Sequence, residues 1–281
     1  MMNRMVPQTI RLGHSPDPDD AFMWWPLAAG RVDSGSWRIE HLLEDIESLN
    51  RRAMMGELEI TAISIHAYAF LADRYLLLPH GASMGDGYGP LLVSREPMAP
   101  ADLAGAAIAV PGRMTSAFLA LKLFRPDVQE IVVPFDEIPR YVADGKAPAG
   151  LLIHEGQLTY GNLGLHKVAD LGAWWKEETG LPLPLGGNAI RKDLGPGAIR
   201  ELSTILKASI RYALNHREEA LGAAMKYARD MGRDLADRFV GMYVNDYTLD
   251  YGPKGREAIA LFLDRARQAG LVPPVRVEWA E

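Results

Sequence analysis

The chain of 281 residues contains no cysteine. That absence excludes a disulfide framework, a thiolate metal site and a thiol nucleophile. No uninterrupted apolar run approaches the roughly 20 residues needed to cross a bilayer, so no stable membrane insertion is expected. Positive charge is not in excess either. Thirty basic residues face 36 acidic ones, a formal net charge of -6, and nothing in that balance calls for a nucleic-acid partner. The amino terminus, Met1-Met2-Asn3-Arg4-Met5-Val6-Pro7-Gln8, lacks the long apolar core of a signal peptide, and a cytoplasmic location is the expectation. Nucleotide signatures are missing as well. The glycine-rich segment 80–90 has no GxxxxGK[ST], and the first strand-to-helix turn has no GxGxxG. Ser15, Ser64, Ser83 and Ser116 lie outside any GxSxG elbow, so no serine triad can be assigned.

What is present is an alternation of short apolar runs with helical periodicity. Thr9-Ile10-Arg11-Leu12-Gly13-His14-Ser15 reads as a strand running into the turn Pro16-Asp17-Pro18-Asp19-Asp20, where an aspartate could cap a helix starting near Ala21. Segment 37–43 reads as a second strand. Ile46, Leu49, Asn50, Ala53 and Met54 then recur at helical spacing up to Gly56, and segment 60–65 is a third strand. This β-α-β-α order predicts an α/β fold with a largely parallel sheet. The length favours two cores over one. A crossing into a second lobe is expected around Arg95-Glu96-Pro97 and a return near 185–191, which gives residues 1–94 and 188–281 to the first lobe and 95–187 to the second. A ligand cleft between the lobes follows.

Within that frame the residue with the most chemical potential is His154. It closes the apolar run Ala149-Gly150-Leu151-Leu152-Ile153, the carboxyl end of a buried strand, and imidazole gains or loses a proton near neutrality. A structural histidine at a strand end satisfies the same pattern. In Pro111-Gly112-Arg113-Met114-Thr115-Ser116-Ala117, the start of a helix with two hydroxyls suits either a carboxylate or simple capping. Asp17, Asp19, Asp20 and His14 match no EF-hand or HExxH pattern; they read as a turn and cap, and no metal is assigned. A cleft with His154 on one side and Ser15, Asn50 and Ser64 on the other, with Thr115 and Ser116 at an acidic group, could bind a carboxylated small molecule or act on it by proton transfer.

Several segments together resemble the 1,4-dihydroxy-6-naphthoate synthase family of the futalosine route to menaquinone. They are Ser15-Pro16-Asp17-Pro18-Asp19-Asp20-Ala21-Phe22, Leu43-Glu44-Asp45-Ile46-Glu47-Ser48-Leu49-Asn50, segment 111–117, Ile153-His154-Glu155, Asp170-Leu171-Gly172-Ala173-Trp174-Trp175 and segment 179–186. The resemblance implies a two-lobed fold like the type 2 periplasmic binding proteins, used as a cytoplasmic enzyme without a redox cofactor. It further implies conversion of cyclic dehypoxanthine futalosine to 1,4-dihydroxy-6-naphthoate with release of a sugar-derived product. His154 would be the base that removes a proton, and elimination would open the ring and drive aromatisation. Thr115 and Ser116 would hold the carboxylate, while Ser15, Asn50 and Ser64 would face the cleft. A homodimer stays open. The chain departs from the family's usual Ser-Pro-Cys-Pro-Asn-Asp/Thr pattern at Asp17, Asp19 and Ala21. Alternatives are a related chorismate-dehydrating enzyme, a solute-binding protein, and an enzyme acting on another carboxylated ring.

Overall fold

The computed structural model describes residues 8–229 and 231–281. The chain opens with β1 (Gln8–His14), α1 (Pro18–Ala28), β2 (Trp37–Leu43), α2 (Ile46–Met55), β3 (Ile60–Ser64) and α3 (Ile65–Tyr68), the alternation that the hydrophobic pattern predicts; β4 (Tyr75–Leu77) and β5 (Ser83–Gly85) follow, the latter inside the glycine-rich segment 80–90. There follow β6 (Leu91–Ser94), β7 (Ala107–Val110), α4 (Ser116–Phe124), β8 (Gln129–Val132), α5 (Ile138–Ala143), β9 (Ala149–Leu152), α6 (Gly156–Thr159), β10 (His166–Asp170) and α7 (Leu171–Thr179). The chain ends with β11 (Leu183–Arg191), α8 (Gly195–Asn215), α9 (Arg217–Ala224), α10 (Arg233–Tyr243), α11 (Asp246–Leu249) and α12 (Gly252–Gln268).

These strands build two sheets. The first has the order β2-β1-β3-β11-β4, with β5 pairing to β11; the second has the order β10-β6-β9-β7-β8. Strand β1 is parallel to β2 and β3, and β11 runs antiparallel to β3, β4 and β5. The second sheet is mixed as well: β7 is parallel to β8 and β9, while β6 is antiparallel to β9 and β10.

The exchange between sheets falls earlier than the expected crossing at residue 95. Every residue of β6 is buried, and the strand pairs with β9 on one side and β10 on the other, so Leu91 to Ser94 sit inside the second sheet. The return also comes earlier. Leu183 to Gly187 already pair with β5 and β3 of the first sheet. The strand Leu-Leu-Val-Ser is buried on both faces, and its two ladder partners, β9 and β10, both lie downstream of the crossing.

Helices supply the remaining burial. Phe22 and Trp24 of α1 are fully buried in one core with the α8 stripe Leu202, Leu206 and Ile210. Each such side chain contributes about 1.5–3 kcal/mol by leaving water. Inside that contact the Ser209 hydroxyl donates to the Met23 carbonyl at 2.7 Å, so the one polar group on the α8 stripe is satisfied. A second core joins Trp175 of α7 to Phe262 of α12, ring centroids 5.3 Å apart.

The Asp170-to-Trp175 motif is scaffold. The Asp170 carboxylate caps α7, accepting from the Gly172 and Ala173 N–H groups at 2.9 and 3.0 Å. The buried Trp175 Nε1 donates to the Pro182 carbonyl at 3.1 Å. Gly172 lies against the backbone at Tyr88, where a Cβ would stand only 1.9 Å from the carbonyl oxygen. Among the described residues, no helix is long and apolar enough to cross a membrane.

Candidate active site

A cleft holding about 800 Å³ of space, open in part to solvent, is lined from both sheets. Ser15 and Ser64 come from the carboxyl ends of β1 and β3, His154 from the carboxyl end of β9, and Ser116 from the start of α4. Carboxyl ends of strands are where α/β sheets collect ligands, because there the chain leaves the ladder and backbone groups become available.

His154 follows β9 by two residues with φ at 54°, a left-handed backbone that costs a non-glycine residue on the order of 1 kcal/mol. Its ring meets Phe135 edge-on, centroids 4.8 Å apart. Nδ1 lies 3.0 Å from Oδ2 of Asp17, within ion-pair distance, although neither Asp17 oxygen is aligned for a hydrogen bond. Nε2 is buried and has no protein partner. One ring nitrogen therefore faces a carboxylate and the other is left for a ligand.

An aspartate of the turn at 16–20 was expected to cap a helix near Ala21. The helix instead begins at Pro18, whose ring presets the first helical φ, and Asp17 occupies the N-cap position without making a capping hydrogen bond. Asp20 does related work in its place, accepting from the Ser15 N–H at 2.7 Å. The Asp17 side chain, 1 % exposed, faces His154 and Arg229, whose Nη2 lies 3.3 Å from Oδ1. Arg229 also pairs with Glu155 and stacks over Phe135, its guanidinium 4.9 Å from the ring centroid.

Burial pushes the Asp17 carboxyl up from its ordinary range, and Glu155 pushes the same way, while the charges of His154 and Arg229 oppose the rise. Burial, followed by the neighbouring Asp17, pushes Asp19 up to about 6. Because the folded value lies above the unfolded 3.8, ionised Asp19 costs stability once the pH passes through that window. Asp19→Asn should therefore raise the thermal midpoint at pH 8, with the gain shrinking below about 6 and absent near 3.8. A midpoint difference that does not change with pH, followed by calorimetry, would contradict that account.

The hydroxyl-bearing residues divide by what the fold already asks of them. Thr115 is the N-cap of α4, its hydroxyl donating to the Gly112 carbonyl at 3.0 Å and accepting from the Phe118 N–H at 3.1 Å. That hydroxyl is spent on the cap. Ser116 Oγ accepts from the His66 N–H at 3.1 Å and keeps its own proton. His66, lowered by burial to about 4 and hence neutral, donates from Nδ1 to the Thr115 carbonyl at 3.2 Å. Of the first-turn N–H groups of α4, those of Ser116 and Ala117 remain for an anion.

Asn50 is a correction. It was expected to face the cleft, yet it is fully buried behind Ser64 and does not line the cavity. Its Oδ1 accepts from the Ser64 N–H at 2.9 Å and its Nδ2 donates to Ser64 Oγ at 3.1 Å, an amide pairing that leaves the Ser64 proton free. The role of Asn50 is to aim Ser64. Ser15, Ser64, Thr115, Ser116 and His154 do line the cleft.

The cleft holds further polar residues. Tyr243 Oη donates to Gln157 Oε1 at 2.7 Å, joining α10 to α6. Asn188 of β11 donates to the Gly81 carbonyl at 3.1 Å and keeps its Oδ1 buried without a partner. Only the Gly-Gly-Asn run at 186–188 hinted at Asn188, and nothing local marked Arg229. Among the described residues, no group of three His, Asp or Glu side chains is arranged to hold a metal ion.

Fold and site together describe an α/β protein with two sheets and a partly open cleft lined from both of them. The chain belongs to the menaquinone biosynthesis family, whose model matches residues 10–268. It is 44% identical over 267 residues to the 1,4-dihydroxy-6-naphthoate synthase of Thermus thermophilus, covering 95% of this chain and 97% of that protein. It is 42% identical over 275 residues to the synthase of Streptomyces coelicolor, covering 96% of each. The crystal structure of protein AF1704 from Archaeoglobus fulgidus superposes with a TM-score of 0.90 at 46% identity, over 97% of this chain and 100% of that one. A more distant likeness, the periplasmic aliphatic sulphonate binding protein SsuA from Escherichia coli, shares the fold alone: TM-score 0.64, 13% identity, 95% and 89% coverage. That sharing corrects the cytoplasmic expectation. The scaffold also serves a periplasmic protein, so it assigns no compartment, and what stands is the statement about membrane-crossing helices.

Proposed function

We infer that the chain acts as a 1,4-dihydroxy-6-naphthoate synthase in menaquinone biosynthesis, taking cyclic dehypoxanthine futalosine as substrate. The identity to two synthases along nearly the whole chain supports the reaction. The observation that supports the mechanism is the bare Nε2 of His154 in the cleft. In this reading the two sheets are the cores of two lobes that close over the substrate and exclude water. His154 takes a proton from carbon at Nε2, the electrons of the broken C–H bond drive the elimination that opens the ring, and aromatisation follows. The protons of Ser64 and Ser116 and the first N–H groups of α4 hold the substrate carboxylate or developing oxygen charge. The hydroxyl of Thr115 contributes through the cap that aims this helix start.

Purified protein incubated with cyclic dehypoxanthine futalosine should form the naphthoate, followed by mass spectrometry. Folded protein that binds the compound and releases no product would sink the assignment.

A further inference from the structure

Three local sacrifices converge on one carboxylate. Asp17 stands at a helix N-cap and forgoes the capping bond, a contact ordinarily worth about 1 kcal/mol. Among the described residues, only two that are not glycine have positive φ, His154 at 54° and Arg229 at 47°. Both place a side-chain nitrogen beside Asp17, at 3.0 and 3.3 Å. Phe135 lies between them, touching the imidazole with its edge and carrying the guanidinium on its face. Strained backbone persists where the surroundings over-determine it, and here two strained residues from different sheets' surroundings serve one buried group.

We propose that Asp17 is the positioning residue for His154: it keeps the proton of the neutral imidazole on Nδ1, so that Nε2 is the bare base, and Arg229 holds Asp17 in its ionised form. The role rests on the reading of His154 as the base. An imidazole with no partner exchanges its proton between the two nitrogens, and a base needs the correct one empty. A carboxylate beside Nδ1 makes that choice and stabilises the imidazolium formed on proton transfer. Burial works against the charge on Asp17, as do Asp19 and Asp20 on its own helix and Glu155 beside His154. Arg229 is the fixed cation that counters them, and the charge of Asp136 acts on it as well. Because Asp17 belongs to the first sheet's α1 and His154 to the second sheet's β9, the pair exists only while the two units are together. The off-line geometry of the contact suits a site awaiting its ligand, since such hydrogen bonds align as the substrate complex forms.

The test begins with the tautomer of the wild-type protein. Ring 15N shifts of His154 in the wild-type protein at pH 8, assigned by difference from His154→Gln, should show protonated Nδ1 and bare Nε2. In Asp17→Asn that tautomer should lose its dominance, with kcat down about 100-fold and KM within about threefold. Arg229→Gln should move the acid limb of the kcat profile to higher pH, because Asp17 loses the cation that opposes burial, and should move it less in an Asp17→Asn background. A wild-type ring protonated on Nε2 would overturn the proposal. So would Asp17→Asn with turnover within threefold of wild type while His154→Ala is inactive. Turnover surviving in His154→Ala is a separate result, which removes the base reading itself.

Discussion

His154→Ala is expected to lower kcat between about 100-fold and 10,000-fold, the range a positioned general base supplies, while KM stays within a few-fold. The asymmetry follows from what the side chain does in the fold. Its Nε2 bonds to no protein group, so the fold does not use that nitrogen, and in the proposed reading the cleft's other donors hold the substrate. Steady-state kinetics with cyclic dehypoxanthine futalosine and a thermal melt check the two halves. Loss of an interaction made only in the transition state lowers kcat and kcat/KM together. Turnover within threefold of wild type would take the histidine out of the chemistry, and a KM rise matched by unchanged kcat would make it a binding residue.

Gly172→Ala is expected to do the largest structural damage of any small substitution in the chain. The added Cβ would stand 1.9 Å from the Tyr88 carbonyl oxygen, 2.1 Å from its carbon and 2.6 Å from the Gly89 nitrogen. All three are backbone atoms, so no side chain can swing aside. The neighbouring contacts resist a shift as well: the Leu171 N–H donates to the Pro90 carbonyl at 3.0 Å, and the Asp170 cap fixes the helix start. Overpacking of this kind costs about 3 kcal/mol or more, a fall in thermal midpoint of roughly 5 °C or more. Gly161→Ala is the matched control, since its Cβ would meet nothing within 4 Å. Equal midpoints for the two variants would show that segment 88–90 yields easily.

What could be read in advance was the part written in local pattern. The run from Ala149 to Leu152 is a strand because four apolar residues in sequence have no solvent face, and its end therefore placed His154 at a ligand edge. The spacing of Leu49, Asn50 and Ala53 gave α2, but spacing alone could not tell which polar group on a helix meets a ligand and which meets a serine 14 residues on. The segment Pro16-Asp17-Pro18-Asp19-Asp20 read as a turn because two prolines break helices. One of them starts α1, and a proline at the first helical position looks in sequence like a proline in a turn. Left-handed backbone at His154 and Arg229 left no trace, since both residue types are found mostly at negative φ and neither marks such a position in a sequence. Their shared partner lies far away along the chain, and periodicity carries no information about such pairs.

The second sheet is a single continuous stretch of chain, entered after β5 and left before β11, and β11 is the strand that joins β3 to β4 and receives β5. A polypeptide made from its amino terminus therefore has β1, β2 and β3 in place with the edge of β3 unfilled until every strand of the other sheet has been synthesised. The later sheet can close first, from strands that follow one another directly. The earlier one waits with an open, fully buried-type strand, Ile60–Ser64, as its exposed margin. The second sheet can thus be complete while the first, begun earlier, still lacks β11, and the cleft, which needs Gly186 and Gly187 beside Ser64, cannot be complete before that strand is made.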